Sequence, residues 1–413
     1  MLERLPDVRT DSSLAAARTL WQGDLSSAIG RVLKWVLTLG FVGVIAASAV
    51  GAWRFSDLFY EDGLLPATEV SEPPYADGSV VSIDDDVITI DVADTASPAI
   101  RRDGRFGIRW PGGRGEVGEI LDSHTLTVVR RFVRVDGMPA PGDEVTVDST
   151  TFYGDPASAM AIGFSEVDIS TELGEFPAWY VAGESDTWVV ITHGKGVDRT
   201  EALRALPTFV SAGYPALVIS YRNDVDAQPD PSGMYRFGLT EWRDLQAGVQ
   251  WALDQGAARV VLMGYSMGGA ITMEFMHRSP FSERVAGVIL DAPMLDLSRT
   301  IDRGAEDQGI PSILTSMSKA LAATRFGLNW SEMNYLAKLD RIAVPILLFH
   351  GTDDARVPIE LSEDLAAALP HSVTFVPVDG AGHVESWNVD QAVYESALRE
   401  LLDAVDRTAG AGP

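Results

Sequence analysis

Residues 259–270 read RVVLMGYSMGGA, a strand-like run that passes through the motif G-x-S-x-G, centred on Ser266, into a helix-like segment. This pattern predicts a sharp strand-to-helix turn. Glycines flank the serine because the chain passes close to its neighbours there and a side chain would clash. The turn puts Ser266 at a helix amino terminus, where the dipole and free N–H groups favour negative charge. We therefore predict that Ser266 is a nucleophile and that the backbone N–H of Met267 faces the developing oxyanion.

Three further motifs supply the groups that such a serine needs. Residues 190–196, VITHGKG, read as a strand that ends in a His-Gly turn, and the N–H of Lys195 is the predicted second oxyanion donor. Residues 350–358, HGTDDARVP, follow a later strand and offer a carboxylate. Residues 379–383, DGAGH, place His383 before a terminal helix. The order Ser, Asp, His is the one that accompanies a G-x-S-x-G turn.

The chemistry follows from these residue types. A serine hydroxyl is a poor nucleophile at neutral pH, so His383 would accept its proton as the acyl bond forms. A carboxylate would hold the imidazole in the correct tautomer and stabilise the imidazolium. His383 would then protonate the leaving group, and water would release the acid.

From about residue 165 onward, strand-like and helix-like segments alternate, which predicts a mostly parallel sheet flanked by helices. The predicted strands are 187–192, 216–221, 259–264, 285–291 and 344–350. Residues 294–338 form an insertion with helical patches at 313–323 and 331–339, expected to cap the active site. Met317, Phe326 and Trp330 could line an acyl pocket there, although packing explains them equally well. Residues 221–238 should border the pocket.

The HG, G-x-S-x-G-G, H-G-x-x-D-x-x-V-P and G-x-G-H motifs make this region resemble the α/β-hydrolase superfamily, serine-nucleophile branch, with its esterase-like, lipase-like and serine-peptidase-like members. The resemblance implies an α/β-hydrolase fold with a helical cap. It assigns the acid to Asp354 rather than to Asp353, which completes a triad with Ser266 and His383, and it implies no cofactor. Lys195 departs from the small, amide or apolar residue that many relatives carry after His-Gly, which would favour an anionic substrate.

An uncharged stretch, Trp35 to Trp53, lies near the amino terminus. As a helix it would be about 28 Å long, roughly the hydrocarbon thickness of a bilayer. Basic residues precede it and acidic residues follow it, so residues 1–34 are predicted to be cytoplasmic and the catalytic domain extracytoplasmic. A cleaved signal peptide ending at Ala47-Ser48-Ala49 is the main alternative, and a buried core helix is another.

Residues 54–164 are predicted to be a small β-rich domain and linker, because short β-branched segments alternate with Asp-Gly and Pro-Gly turns from about 79 to 147. An antiparallel barrel or sandwich fits this pattern. A spacer or packing module is the simpler role for it, and substrate recognition the other. Residues 165–413 are the predicted hydrolase domain.

Composition narrows the function classes. The chain has 59 acidic and 32 basic residues and a net charge of −27, which argues against nucleic-acid binding. It has no cysteine, which removes disulfides and cysteine-ligated metal sites. The histidines and carboxylates show no metal-ligand spacing, so no metal is expected.

The leading expectation is a membrane-anchored, single-pass hydrolase of lipid, acyl or small carboxylic esters. A serine peptidase with the same triad is the second reading, and a catalytically silent binding or scaffolding protein is the third.

Overall fold

The computed structural model describes residues 12–66 and 77–410, and within them the chain has three parts: a long amino-terminal helix, a closed six-stranded barrel and an α/β domain. The helices are α1 (Ser12–Leu58), α2 (Pro156–Met160), α3 (Leu206–Ser211), α4 (Trp242–Asp254), α5 (Met267–Arg278), α6 (Leu297–Asp307), α7 (Ser312–Phe326), α8 (Glu360–Ala368), α9 (Ser386–Val389) and α10 (Gln391–Gly410). The strands are β1 (Gly78–Asp84), β2 (Val87–Val92), β3 (Phe106–Trp110), β4 (Gly113–Ser123), β5 (Thr127–Asp136), β6 (Glu144–Asp148), β7 (Ser165–Thr171), β8 (Gly174–Val181), β9 (Thr187–Thr192), β10 (Ala216–Ile219), β11 (Arg259–Tyr265), β12 (Val285–Asp291), β13 (Ile346–Gly351) and β14 (Val373–Val378).

Helix α1 contains the predicted apolar stretch and continues into a π-helical turn, Phe59–Leu64. Residues Arg31–Leu64 are long and apolar enough to cross a membrane, with a mean hydropathy of 2.0 in the best window. Only 6% of that window is buried, which contradicts the alternative of a core helix. An anchor and a signal sequence both remain compatible with these properties. Residues 1–11 of the predicted cytoplasmic segment lie outside the described residues.

The small all-β domain is a closed barrel with the strand order β1-β2-β5-β4-β3-β6. All of its strand pairs are antiparallel. Apolar side chains on the inward faces of the strands fill its interior, Phe106, Ile108, Trp110 and Phe132 among them. The alternation of apolar and polar residues along the strands predicts a sheet with one apolar face. Here the sheet closes into a barrel, and its apolar face becomes the interior.

The α/β domain is built on an eight-stranded sheet with the order β14-β13-β12-β11-β9-β10-β8-β7. Strands β9 to β14 run parallel, whereas β8 pairs antiparallel with β10 and with β7. Apolar clusters cover both faces, as a helix-flanked sheet requires. The predicted mostly parallel sheet is confirmed, and the carboxyl ends of β9, β11, β13 and β14 meet at one edge.

The insertion between β12 and β13 contains α6 and α7. The helical patch predicted for residues 331–339 is wrong, because that segment forms turns and a short 3₁₀ turn instead. Its backbone is held by tertiary contacts: the N–H of Tyr335 donates to the Leu295 carbonyl, and Asn334 forms a bridge with Asp296. These contacts override the local helical pattern.

Candidate active site

The turn at Ser266 joins β11 to α5, and its backbone is strained. Ser266 has φ 48° and ψ −112°, a conformation that side chains disfavour. The flanking glycines allow the turn: a Cβ on Gly264 would collide with the Gly268 carbonyl oxygen, and one on Gly268 would collide with that of Thr192. The Ser266 hydroxyl is thereby presented at the sheet edge.

Ser266, His383 and Asp354 form one hydrogen-bonded chain. Nε2 of His383 lies 2.8 Å from Oγ of Ser266, and Nδ1 lies 2.7 Å from Oδ2 of Asp354. Ser266 follows β11, Asp354 follows β13 and His383 follows β14, so the parallel sheet brings together side chains that are far apart in sequence. This is the geometry in which the imidazole can take the serine proton.

The Asp354 carboxylate is buried and held by several donors. Its Oδ1 accepts the backbone N–H groups of Arg356 and Val357 at 2.8 and 2.9 Å. Burial opposes its ionisation, but hydrogen bonds from His350 and His383 outweigh this and hold its pKa well below the usual range. Within the described residues the Asp353 carboxylate forms no hydrogen bond with His383, and Asp353 lines the cleft instead. The carboxylate therefore stays ionised beside the imidazole.

The His-Gly turn after β9 adjoins the serine. A Cβ on Gly194 would lie 3.2 Å from the Cβ of Ser266. The Gly194 N–H is already used, donating to Oε2 of Glu201 at 2.7 Å. In the part of the chain that the structure describes, the Lys195 and Met267 N–H groups donate to no protein acceptor, and both residues line the cleft beside Ser266. These two amides remain available for an oxyanion.

Side chains that the motifs did not identify hold this turn in place. His193 bridges the Gly194 carbonyl and the Asp224 carboxylate, both at 2.9 Å, and stacks on Tyr221. Burial opposes the charge on His193, but Asp224 outweighs it and raises the pKa to about 9. The Tyr221 hydroxyl also donates to the Gly194 carbonyl at 2.8 Å. Only the position of His193 beside Gly194 signals such a role in the sequence.

The barrel contacts the loop that carries His383. Arg102 follows the short 3₁₀ turn in the connection between β2 and β3, and its guanidinium pairs with the Glu385 carboxylate at 2.6 Å. Glu385 also accepts the N–H of Gly382 at 3.0 Å. Asn388 donates to the carbonyls of Arg105 and Ser149 in the barrel and its exit segment. The barrel is thus coupled to the histidine loop.

Ser266 opens into a cleft of about 500 Å³. Apolar side chains of its wall include Val197, Phe237, Met267, Met294 and Leu297. Phe237 belongs to the segment that was expected to border the pocket. The barrel side contributes Ser97, Pro98, Arg102, Asp148 and Ser149, so the barrel forms part of the cleft wall.

The cap residues considered for an acyl pocket lie elsewhere. Phe326 stacks on Tyr60 with ring centroids 4.7 Å apart, and Trp330 packs against Phe59 at 5.7 Å. Met317 is 38% exposed. None of the three lines the cleft. Two of them instead contact the end of the amino-terminal helix, and the insertion contributes to the cleft through Met294 and, on α6, through Leu297 and Thr300.

Similarity to known protein families covers both folded domains. Residues 209–398, which include all three triad positions, match the prolyl oligopeptidase family, and residues 79–148 match DUF8805, a domain of unknown function. The chain is 25% identical over 256 residues to the uncharacterized protein Rv2307c of Mycobacterium tuberculosis (strain ATCC 25618 / H37Rv), which covers 60% of this chain and 82% of that protein.

Two further similarities concern proteins with named activities. Dipeptidyl aminopeptidase BIII of Pseudoxanthomonas mexicana is 27% identical over 212 residues, covering 46% of this chain and 29% of that enzyme. The Pyrococcus furiosus esterase Pf2001 superposes with a TM-score of 0.50 and 23% identity over 61% of this chain and 94% of that structure. The superposition confirms the fold that the sequence motifs predict.

Proposed function

We propose that this serine hydrolase, a member of the α/β-hydrolase superfamily, cleaves carboxylic esters through an acyl-enzyme on Ser266 while its amino-terminal helix anchors it in a membrane. The single observation that carries the catalytic part is the continuous hydrogen-bonded chain from the Ser266 hydroxyl through His383 to the Asp354 carboxylate. A hydrogen-bonded chain of serine, histidine and aspartate serves acyl transfer. A purely structural role would not require the serine to lie on a strained turn.

In the proposed reaction, Oγ of Ser266 attacks the ester carbonyl carbon as its proton passes to Nε2 of His383. The Met267 and Lys195 N–H groups hold the oxyanion, and each lost donor would raise the barrier by roughly 3 to 4 kcal/mol. His383 gives the proton to the departing alcohol oxygen. Water then attacks the acyl-enzyme by the same route and releases the carboxylic acid.

The cleft favours an acyl ester. Its wall beside Ser266 is lined by Phe237, Met294 and Leu297, which suits a hydrocarbon chain. The neighbouring Lys195 ammonium donates to the carbonyl of Asp62 at 2.5 Å, directly after the apolar helix, so the proposed anchor ends beside the cleft. This proximity supports a substrate drawn from the membrane, and the esterase Pf2001 is a precedent for ester hydrolysis on this fold.

A peptidase is the second candidate, favoured by the match of residues 209–398 to the prolyl oligopeptidase family and by the similarity to dipeptidyl aminopeptidase BIII. Peptide and ester cleavage use the same triad, so the substrates must separate them. Parallel kcat/KM measurements on nitrophenyl acyl esters and aminoacyl anilides are the test. Faster cleavage of the anilides would reverse the proposed order.

Replacing the nucleophile tests the assignment directly. Ser266→Ala should lower kcat by roughly 10⁴- to 10⁶-fold, by analogy with the loss of a triad serine. It should also abolish labelling by a fluorophosphonate probe. The matched control is Ser396→Ala, an exposed serine on α10 that should keep full activity. Full activity in Ser266→Ala would refute the nucleophile, and a folded wild-type protein that resists the probe would favour a scaffolding role.

The membrane part has its own test. An uncleaved anchor predicts that the native protein keeps its full length in the membrane fraction, with the hydrolase domain accessible to protease from the extracytoplasmic side. A soluble product shortened by about 49 residues would point to signal-peptide cleavage after the Ala47-Ser48-Ala49 pattern.

A further inference from the structure

The carboxyl-terminal end of α1 packs along the cap helix α7. Gly51 faces Leu314 near the start of α7, where a Cβ on the glycine would lie 3.4 Å from the leucine side chain. Tyr60 stacks on Phe326 at the other end. Between them, the Arg325 guanidinium lies over the ring of Trp53, 4.1 Å from its centroid. The two helices therefore run side by side in the same direction.

Among the α1 side chains that the structure describes, from Arg31 onward, contact with the rest of the protein begins near Ser48. The side chains described between Arg31 and Ala47 are all exposed, whereas Ser48, Gly51, Ala52 and the residues one and two turns later are partly or fully buried. The free part of the apolar stretch, from Trp35 to Ala47, is about 20 Å long at 1.5 Å per residue. That is shorter than the hydrocarbon core of about 30 Å. If the stretch spans a bilayer, the cap alongside Ser48–Trp53 must reach the same depth.

The tip of the cap is uncharged and exposes aliphatic side chains, which suits a position at membrane depth. Residues 308–318, QGIPSILTSMS, contain no charged side chain, although 22% of the chain is charged. Ile313 is 71% exposed and Met317 is 38% exposed. In water, exposed aliphatic side chains beside an apolar helix would be unfavourable, but at a membrane surface they are stabilising.

Charged groups limit how far this tip can enter. Asp307 at the end of α6 pairs with Arg303 at 3.0 Å, and its neighbour Glu306 is exposed. Burying these groups in hydrocarbon would be costly. A depth of roughly 5 to 10 Å, at the boundary of headgroups and acyl chains, accommodates the apolar side chains and leaves the ion pair among the headgroups.

We propose that residues 308–318, the cap tip, form a second membrane-binding surface that inserts into the interfacial layer of the bilayer beside α1. This rests on the proposed anchoring by α1. Helix α6 joins this surface to the cleft, since Leu297 and Thr300 at its other end line the cavity at Ser266. The cap tip would bind lipid, and this arrangement would let the cleft take its substrate from the same membrane.

The absence of cysteine allows a single-site test in the full-length protein. In the Ile313→Cys variant, the new cysteine is labelled with an environment-sensitive fluorophore. The labelled protein is then reconstituted into phosphatidylcholine liposomes that contain lipids with a nitroxide quencher near the headgroup. The matched control is Ser396→Cys on α10, and Leu39→Cys reports on the span. We expect lipid quenching at 313 and at 39 but not at 396. Quenching at 39 alone would overturn the cap-tip proposal and leave the anchor intact, whereas its absence at both would contradict the anchor itself.

A functional measurement complements the label. Ile313→Asp should lower the rate on a long-chain ester embedded in liposomes by about 3- to 10-fold, mainly through KM, because the interfacial contact is lost. The rate on a soluble short-chain ester should be unchanged. Val393→Asp, which places the same charge at an exposed apolar site on α10, should alter neither rate. Equal rates for Ile313→Asp and wild type on the embedded ester would overturn the proposal. A label at position 313 that is shielded from solvent in cell membranes but is not quenched in pure lipid would also overturn it, because that result would indicate a protein partner.

Discussion

At the residue scale, the most unusual position is Ser266 itself. Its backbone has a positive φ that glycine adopts freely and that a side chain makes costly, typically by about 1 to 3 kcal/mol. The protein retains this cost because a glycine there would remove the hydroxyl from the triad. Stability and proposed activity therefore oppose each other at one residue.

Ser266→Gly should consequently be more stable than wild type by about 1 kcal/mol while being inactive. Urea unfolding curves would measure the change. Ser396→Gly, in the exposed interior of α10, should instead lose about 0.5 to 1 kcal/mol. A destabilised Ser266→Gly variant would mean that the serine side chain contributes more packing than its strain removes.

The His193–Asp224 pair gives a second prediction, about pH. His193 has its pKa raised to about 9, from an ordinary value near 6.5, so the folded state binds the proton more tightly than the unfolded state. Its stabilisation is fully present below pH 6.5 and is lost as the pH rises through 9. His193→Gln should therefore be less stable than wild type by roughly 3 kcal/mol near pH 6.5, and this difference should shrink as the pH rises from 6.5 to 9.

Thermal or urea unfolding of both proteins between pH 6 and 10 would measure it. His371→Gln, at an exposed site, serves as the control and should leave the pH profile unchanged. A gap between wild type and His193→Gln that stays constant with pH would show that the imidazole is not the charged partner of Asp224.

Residues also show what a sequence reveals and what it hides. Asp354 could be preferred to Asp353 by motif matching, and the structure places Asp354, not its neighbour, against His383. Glu201 could not be identified, because its bond to the Gly194 N–H depends on how a loop folds back over the sheet edge. Side chains that act through another residue carry no spacing signal of their own.

At the element scale, strands were easier to predict than the cap. Buried strands are marked by continuous apolar runs, whereas residues 331–339 look helical and are held as turns by contacts with Leu295 and Asp296. The barrel was visible as alternating segments. Its contact with the cleft was not, because Arg102 and Glu385 are separated by most of the chain.

The Arg102–Glu385 pair predicts a catalytic role for the barrel. Arg102→Ala should lower kcat by about 3- to 10-fold, because a partly buried ion pair that steadies the His383 loop is lost. Arg102→Lys, which keeps the positive charge and leaves Glu385 free to accept the Gly382 N–H, should retain more of the rate than Arg102→Ala. Steady-state kinetics on a soluble ester would measure both.

Arg131→Ala is the matched control, since Arg131 is an exposed barrel residue that pairs with Asp86 and does not line the cleft. It should keep the wild-type rate. If Arg102→Ala also keeps that rate, the barrel wall does not support the histidine loop, and a spacer role becomes the better interpretation.

At the scale of the whole molecule, the amino-terminal helix and the folded domains cannot be treated separately. Ala52 at the end of the apolar stretch, and Ser56 and Leu64 beyond it, are buried against the rest of the protein, so this end of the helical segment contributes to the core. Sequence patterns distinguish a spanning helix from a core helix by composition alone. They do not reveal that the end of such an apolar helix packs against the folded domains.

Two truncations should therefore differ. A chain that begins at Ser48 should keep nearly the melting temperature of the full-length protein. One that begins at Leu65 should melt about 3 °C lower or more, because removing Leu64 alone forfeits roughly 2 kcal/mol of burial and the loss of Phe59 and Tyr60 also exposes Trp330 and Phe326. Differential scanning calorimetry of both fragments would measure this. Equal melting temperatures would show that the helix end adds no stability.

The packing of α1 against α7 also restricts the movement of the cap. If α1 is anchored in a membrane as proposed, the cap packed along it cannot swing away from the active site freely, because α1 would resist tilting. A bulky substrate would then enter more easily on the barrel side of the cleft, where the Arg102–Glu385 ion pair joins the barrel to the histidine loop. Under that anchoring, the cap would stay fixed while the barrel side of the cleft adjusted to the substrate.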